Sequence, residues 1–127
     1  MRLFTKRNAL PLVAVALALA AGTQAGEITS GLQIEPGQTF ELGGGQPGAF
    51  EVTGRNSGKV AVVVLGKLPG AQPVERGTVA PGGLVEARFA PGEQALLRNT
   101  SNRVTARMKL KITGDTAALE MTYSENP

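Results

Sequence analysis

The 127-residue chain contains no histidine, no cysteine and no tryptophan, and its aromatic content is four phenylalanines and one tyrosine. Each absence closes a class of chemistry. Without cysteine there is no disulfide framework, thiolate metal site, thiol nucleophile or haem held through cysteine. A lipid anchor at a signal-cleavage site also needs a cysteine and is excluded. Without histidine there is no Ser-His-Asp triad, imidazole base or imidazole metal ligand. The acidic residues are scattered, with no close pair in sequence for acid/base work and no acidic loop repeat of the kind that holds calcium. The expectation is a non-enzymatic chain with no cofactor and no metal.

The net charge of +3 is concentrated at the start. Residues 1–25 hold Arg2, Lys6 and Arg7 and no acid, so removing these three leaves ten basic residues against ten acidic ones. An unbroken apolar run over residues 12–21 follows the basic start, and Thr23-Gln24-Ala25 then ends in a small residue. These are the three parts of a secretory signal, expected to be helical and to be cleaved after Ala25. The run is shorter than the ~20 apolar residues of a spanning helix. An uncleaved anchor is the alternative; after cleavage no transmembrane segment is expected. The destination is the periplasm or the cell exterior. Residues 26–127 then form one domain of ordinary size, with 26–37 as a possible N-terminal arm. Its core must be mainly Val, Leu, Ile, Ala and Met, with Phe40, Phe50, Phe89 and Tyr123 as its aromatics.

Pro-Gly pairs start at Pro36, Pro47, Pro69, Pro81 and Pro91, and Asn56-Ser57-Gly58 divides the longest gap between them. Proline presets one turn angle and glycine accepts the positive angle that follows. Short apolar runs between such turns predict an all-β, antiparallel β-sandwich, immunoglobulin-like or jelly-roll-like. Strands are expected over residues 38–42, 49–53, 59–65, 73–79 (an edge) and 84–90. Residues 94–98 form a strand or a single turn. The unbroken run 60–65 suggests a central strand covered on both faces.

Alternation is strict over residues 103–113. Val104, Ala106, Met108, Leu110 and Ile112 share one face; Arg103, Thr105, Arg107, Lys109, Lys111 and Thr113 share the other. A strand separates these sets, whereas a helix would scatter them. Gly114-Asp115 suits a two-residue hairpin turn. Returning over 116–124 would set Leu110 against Leu119, Met108 against Met121, Ala106 against Tyr123 and Lys109 against Glu120. That register would bury Met121 and turn Tyr123 inward.

Asn56-Ser57-Gly58 leads into an apolar strand, and Ala80-Pro81-Gly82 precedes an alternating one. In this the chain resembles immunoglobulin-like and fibronectin-like modules of exported bacterial proteins. The resemblance covers about half of residues 26–127 and implies a fold class without an activity.

Three segments are candidate sites. Arg98, Arg103, Arg107, Lys109 and Lys111 form a basic stretch with no acid between them. Such a row could bind a polyanion such as lipopolysaccharide, an anionic glycan or phospholipid headgroups, or be a solvated face whose lysines block aggregation. No aromatic interleaves it, which argues against nucleic acid. Gly43-Gly44-Gly45 with Gln46-Pro47-Gly48 could cradle a phosphate, but a flexible hairpin connection is expected because a strand follows. Asn99-Thr100-Ser101-Asn102 could present hydrogen-bonding groups or act as a plain turn, and it matches a glycosylation acceptor. The expected function is an exported structural or binding module for a protein or an anionic surface ligand. Polyanion binding through the basic stretch is one alternative. Assembly by strand exchange through residues 27–35 is another.

Overall fold

Four of the five Pro-Gly pairs fold into the same turn. The glycine φ is 77° at Gly37, 73° at Gly70, 79° at Gly82 and 76° at Gly92. Across these turns the N–H groups of Gln38, Ala71, Gly83 and Glu93 donate to the carbonyls of Glu35, Leu68, Ala80 and Ala90, at 3.1, 3.0, 2.7 and 2.9 Å. Proline second and a left-handed glycine third is the pattern of a type II turn. The fifth pair differs. Pro47-Gly48 lies in a bend, and the Gly48 N–H donates instead to the Asp115 carboxylate at 2.7 Å.

The computed structural model describes residues 25–127; the expected leader lies outside the described residues apart from Ala25. Nine strands follow: β1 (Ala25–Ile34), β2 (Gln38–Gly43), β3 (Phe50–Asn56), β4 (Val62–Lys67), β5 (Val74–Val79), β6 (Leu84–Phe89), β7 (Gln94–Asn99), β8 (Ala106–Asp115) and β9 (Met121–Glu125). They form a four-stranded sheet, β1-β8-β3-β6, and a five-stranded sheet, β9-β2-β7-β4-β5, with every pairing antiparallel. Among the described residues, seven of the eight connections pass from one sheet to the other; β4–β5 is a hairpin within one sheet.

The two sheets share one core in a sandwich-like arrangement. Leu32, Ile34, Phe50, Val52, Val85, Phe89, Met108, Leu110 and Ile112 enter it from the four-stranded sheet. Phe40, Leu42, Val62, Val64, Val79, Ala95 and Leu97 enter from the five-stranded sheet. Phe50 and Phe89 stand directly opposite each other and stack with ring centroids 5.1 Å apart. The run expected to be covered on both faces is indeed an interior strand. β4 lies between β7 and β5, and Val63 and Leu65 on its outward face cluster with Leu96. β5 is an edge strand, as expected. Its pairing with β4 shifts at Val64/Leu65 and skips Arg76. The Arg76 guanidinium sits 4.9 Å from the Phe89 ring centre, 3.2 Å from Glu93, and donates to the Arg88 carbonyl at 2.7 Å. It thereby ties the edge of one sheet to the edge of the other. Gly66 leaves the room: a Cβ there would meet the Glu93 carboxylate and the guanidinium.

The expected C-terminal hairpin is not formed. Residues 106–115 are one strand that continues through Gly114 and Asp115 and pairs with β1 and β3. Lys109 stands opposite Gly31 and Arg55, not Glu120. After Asp115 the chain crosses to the other sheet, where Met121 pairs with Leu42 and Tyr123 with Phe40. Gly114 has φ 110°, and a Cβ on it would meet the Ala49 carbonyl. This glycine therefore serves a close backbone approach within a sheet rather than a turn. The alternating faces hold: Ala106, Met108, Leu110 and Ile112 are buried, while Arg107, Lys109 and Lys111 are exposed. Val104 precedes the strand and is exposed. Met121, expected to be buried, is 44% exposed on an edge strand. Tyr123 packs on Phe40 with centroids 5.4 Å apart, is half-exposed, and donates to the Gln33 carbonyl at 3.0 Å.

The revised pairing separates two core truncations. Leu110→Ala should cost about 2–5 kcal/mol in urea unfolding, as for a buried leucine. Met121→Ala should cost less than about 1 kcal/mol, the behaviour of a surface position. Equal large losses would restore Met121 to the core.

Candidate functional site

The outward face of the four-stranded sheet is built in rows. Leu84, Arg55, Lys109 and Gly31 stand side by side on β6, β3, β8 and β1. One step toward the β8 start, Arg107 stands beside Gln33, and the Ser57 N–H donates to its carbonyl at 3.0 Å. Past the strand ends, Lys59 and Arg103 lie on loops 57–61 and 100–105. Ser57, Gly58, Lys59, Arg103, Val104, Thr105 and Arg107 line an open cleft of about 420 Å³. Strand alternation sends Arg55, Arg107 and Lys109 outward because Met108, Leu110 and Asn56 point inward. The two loops bring in the remaining pair.

Those loops are held by buried asparagines. The Asn56 amide donates to the carbonyls of Val60 and Val79 at 2.8 and 3.0 Å, and its Oδ1 accepts the Gly58 N–H at 2.9 Å. The Asn99 amide donates to the carbonyls of Ile34, Glu35 and Val104 at 3.0, 3.2 and 2.8 Å, and its Oδ1 accepts the Ser101 N–H at 2.8 Å. Each side chain turns its own loop, and Asn56 ties that loop to the end of β5 while Asn99 ties its loop to the end of β1.

The charge is uneven along this face. Arg55, Lys59, Arg103, Arg107 and Lys109 are all exposed. None has a side-chain hydrogen bond or ion pair among the described residues. Glu86 borders them, lining the same depression as Arg55 and Lys109 one row along, and Glu35 follows β1. Glu86 stands in the next row with Thr53 and Lys111, and the opposite end of the face carries Glu51 and Glu27 with Arg88. Lys111 pairs with Glu27 at 3.8 Å.

The expected basic stretch is thus divided three ways. Arg103, Arg107 and Lys109 come together, Lys111 is partly neutralised, and Arg98 lies on β7 in the other sheet. There Arg98 borders a groove of about 620 Å³ with Glu41, Lys67, Gln94 and Glu125 around Leu65 and Leu96. Arg55 and Lys59 join the cluster from about fifty residues earlier in the chain, a distance that hides them from a search for basic runs. The signal available was the Asn56-Ser57-Gly58 turn, which they bracket.

The other candidates have structural duties. The glycine-rich segment crosses between sheets rather than forming a hairpin. Gln46 is buried there, accepting the Gly44 N–H at 2.8 Å and donating to the Ala90 and Glu93 carbonyls. Asn99 is buried with its amide committed, so the glycosylation acceptor is closed. The possible arm is β1, paired along its whole length with β8 of the same chain.

Compared with known proteins, the chain matches no family model, no curated protein and no solved structure.

Asn99→Ala should lower stability by about 1–3 kcal/mol, the cost of leaving buried polar groups unpaired. Hydrogen exchange should accelerate at Ser101 in the same variant. Unchanged exchange and unchanged thermal unfolding would show that the clamp contributes nothing.

Proposed function

We propose that this chain is an exported, non-enzymatic binding module that recognises a polyanion with the basic corner of its four-stranded sheet. The observation that carries this is the group of unpartnered cations at one corner, Lys59, Arg103 and Arg107 around one cleft and Arg55 and Lys109 in a second depression. Exposed like charges repel one another, and an anionic ligand relieves that repulsion. A solvated face that only prevents aggregation would be expected to intersperse acids, as the opposite end of this face does. The sequence supports the non-enzymatic part of the proposal, since it lacks histidine and cysteine. Export rests on the basic start, the apolar run and Ala25.

The fold proposed is a jelly roll. Strands pair as β1·β8, β2·β7, β3·β6 and β4·β5. This pairing is what results when one long antiparallel ribbon is rolled into two sheets. β9 adds to the β2 edge. An immunoglobulin-like sandwich needs more sequential neighbours within each sheet, so this pairing favours the jelly-roll alternative.

Heparin resin provides the test. Exchanging Arg55, Arg103, Arg107 and Lys109 for glutamine should weaken retention by roughly thirtyfold, taking about 0.5 kcal/mol for each exposed ionic contact. Glutamine at Lys67 and Arg98 should leave it unchanged, and retention should fall with added salt. A quadruple variant retained as strongly as the parent would end the polyanion proposal.

A further inference from the structure

The basic corner also exposes two aliphatic side chains. Leu84 is 74% exposed and Val104 is 42% exposed. Leu84 stands in the same cross-strand row as Arg55 and Lys109, and the three line one shallow depression with Thr53, Gly54 and Glu86. Val104 lines the cleft with Lys59, Arg103 and Arg107. Each cluster of cations therefore carries its own exposed hydrocarbon. Gly31 ends the Leu84 row with no side chain, and a Cβ built on it would meet nothing within 4 Å, so the position directly beside Lys109 on β1 is open.

A soluble sulfated or carboxylated glycan would use the cations and leave Leu84 and Val104 in water. An anionic bilayer uses both. Its phosphates sit at the level of arginine and lysine head groups, and the acyl boundary lies a few ångströms deeper, where an aliphatic side chain gains from leaving water. Resting on the proposed polyanion-binding role, we infer that the ligand of this corner is the surface of an anionic phospholipid bilayer. Arg55, Lys59, Arg103, Arg107 and Lys109 meet the headgroups, and Leu84 and Val104 enter the interface. The sheet docks end-on through loops 57–61 and 100–105 and the start of β6. Glu27 and Glu51 fall toward the far end of the face, away from the negative surface, and Glu86 borders the Leu84 depression on the side of that far end.

Vesicle co-sedimentation tests this. The purified protein should bind vesicles of phosphatidylglycerol mixed with phosphatidylcholine and fail to bind phosphatidylcholine alone. Each cation exchanged for glutamine should weaken binding about fivefold. Leu84→Ser with Val104→Ser should weaken vesicle binding about tenfold or more while leaving heparin retention unchanged. Because the chain has no tryptophan, Leu84→Trp supplies a single reporter whose emission should shift to the blue on anionic vesicles. Heparin retention without vesicle binding would overturn the bilayer inference and leave the polyanion role standing. Vesicle binding with no blue shift from the Leu84→Trp variant and an unaffected double serine variant would also overturn it. Loss of both heparin and vesicle binding in the parent protein would remove the underlying polyanion role as well.

Discussion

Two buried side-chain amides, Asn56 and Asn99, hold together the end of the molecule on which the basic corner is built. Among the described residues seven of the eight connections cross between sheets, so their backbones leave the ladders and need other partners. A buried carbonyl left without a donor costs about 1–3 kcal/mol. Asn56 and Asn99 meet that need in the same manner. Each accepts an N–H two residues ahead, turning its own loop, and donates across to carbonyls on neighbouring segments. The loops so fixed carry Lys59 and Arg103. At the opposite end Gln46 and Asp115 serve the crossing segment 44–49. The Asn99 carbonyl also accepts from Asn126, which brings the end of β9 into the same clamp.

Net charge conceals what these clamps arrange. From Gly26 onward the chain is formally neutral, with ten charges of each sign. Neutrality in composition does not describe the surface. Five cations gather at one end of one sheet face with Glu86 at their border, and Glu51 and Glu27 lie with Lys111 and Arg88 toward the other end. The Debye length is about 8 Å at physiological salt. At that range a ligand in the cleft of Lys59, Arg103 and Arg107 senses mainly those cations and little of Glu51 and Glu27.

The strands were legible in the sequence because alternation and Pro-Gly turns are local. Met108, Leu110 and Ile112 alternate with Arg107, Lys109 and Lys111 whatever strand lies beside them. Four Pro-Gly pairs make the expected turn because each needs only four residues. Partners were not legible. The hairpin expected at Gly114-Asp115 satisfied turn chemistry, apolar register and charge pairing together, yet the chain crosses sheets there. Glycine in a strand and glycine in a turn leave the same mark in a sequence, and Gly114 is the first kind: its φ of 110° allows close approach to Ala49 and Phe50. The site was half legible for the same reason. Arg103, Arg107 and Lys109 are close in sequence, whereas Arg55 and Lys59 are brought to them by the β3·β8 pairing and the Asn56 turn. Arg98 is close in sequence and lies on the other sheet.

Backbone amide chemical shifts followed by NMR during titration with a short heparin oligosaccharide test the basic corner most directly. The expected changes cluster at Arg55, Ser57, Lys59, Arg103, Thr105, Arg107 and Lys109 and fade toward Lys111 and Glu51. Changes centred instead on Arg98, Lys67 and Gln94, on the outer face of the five-stranded sheet, would contradict the assignment of the site.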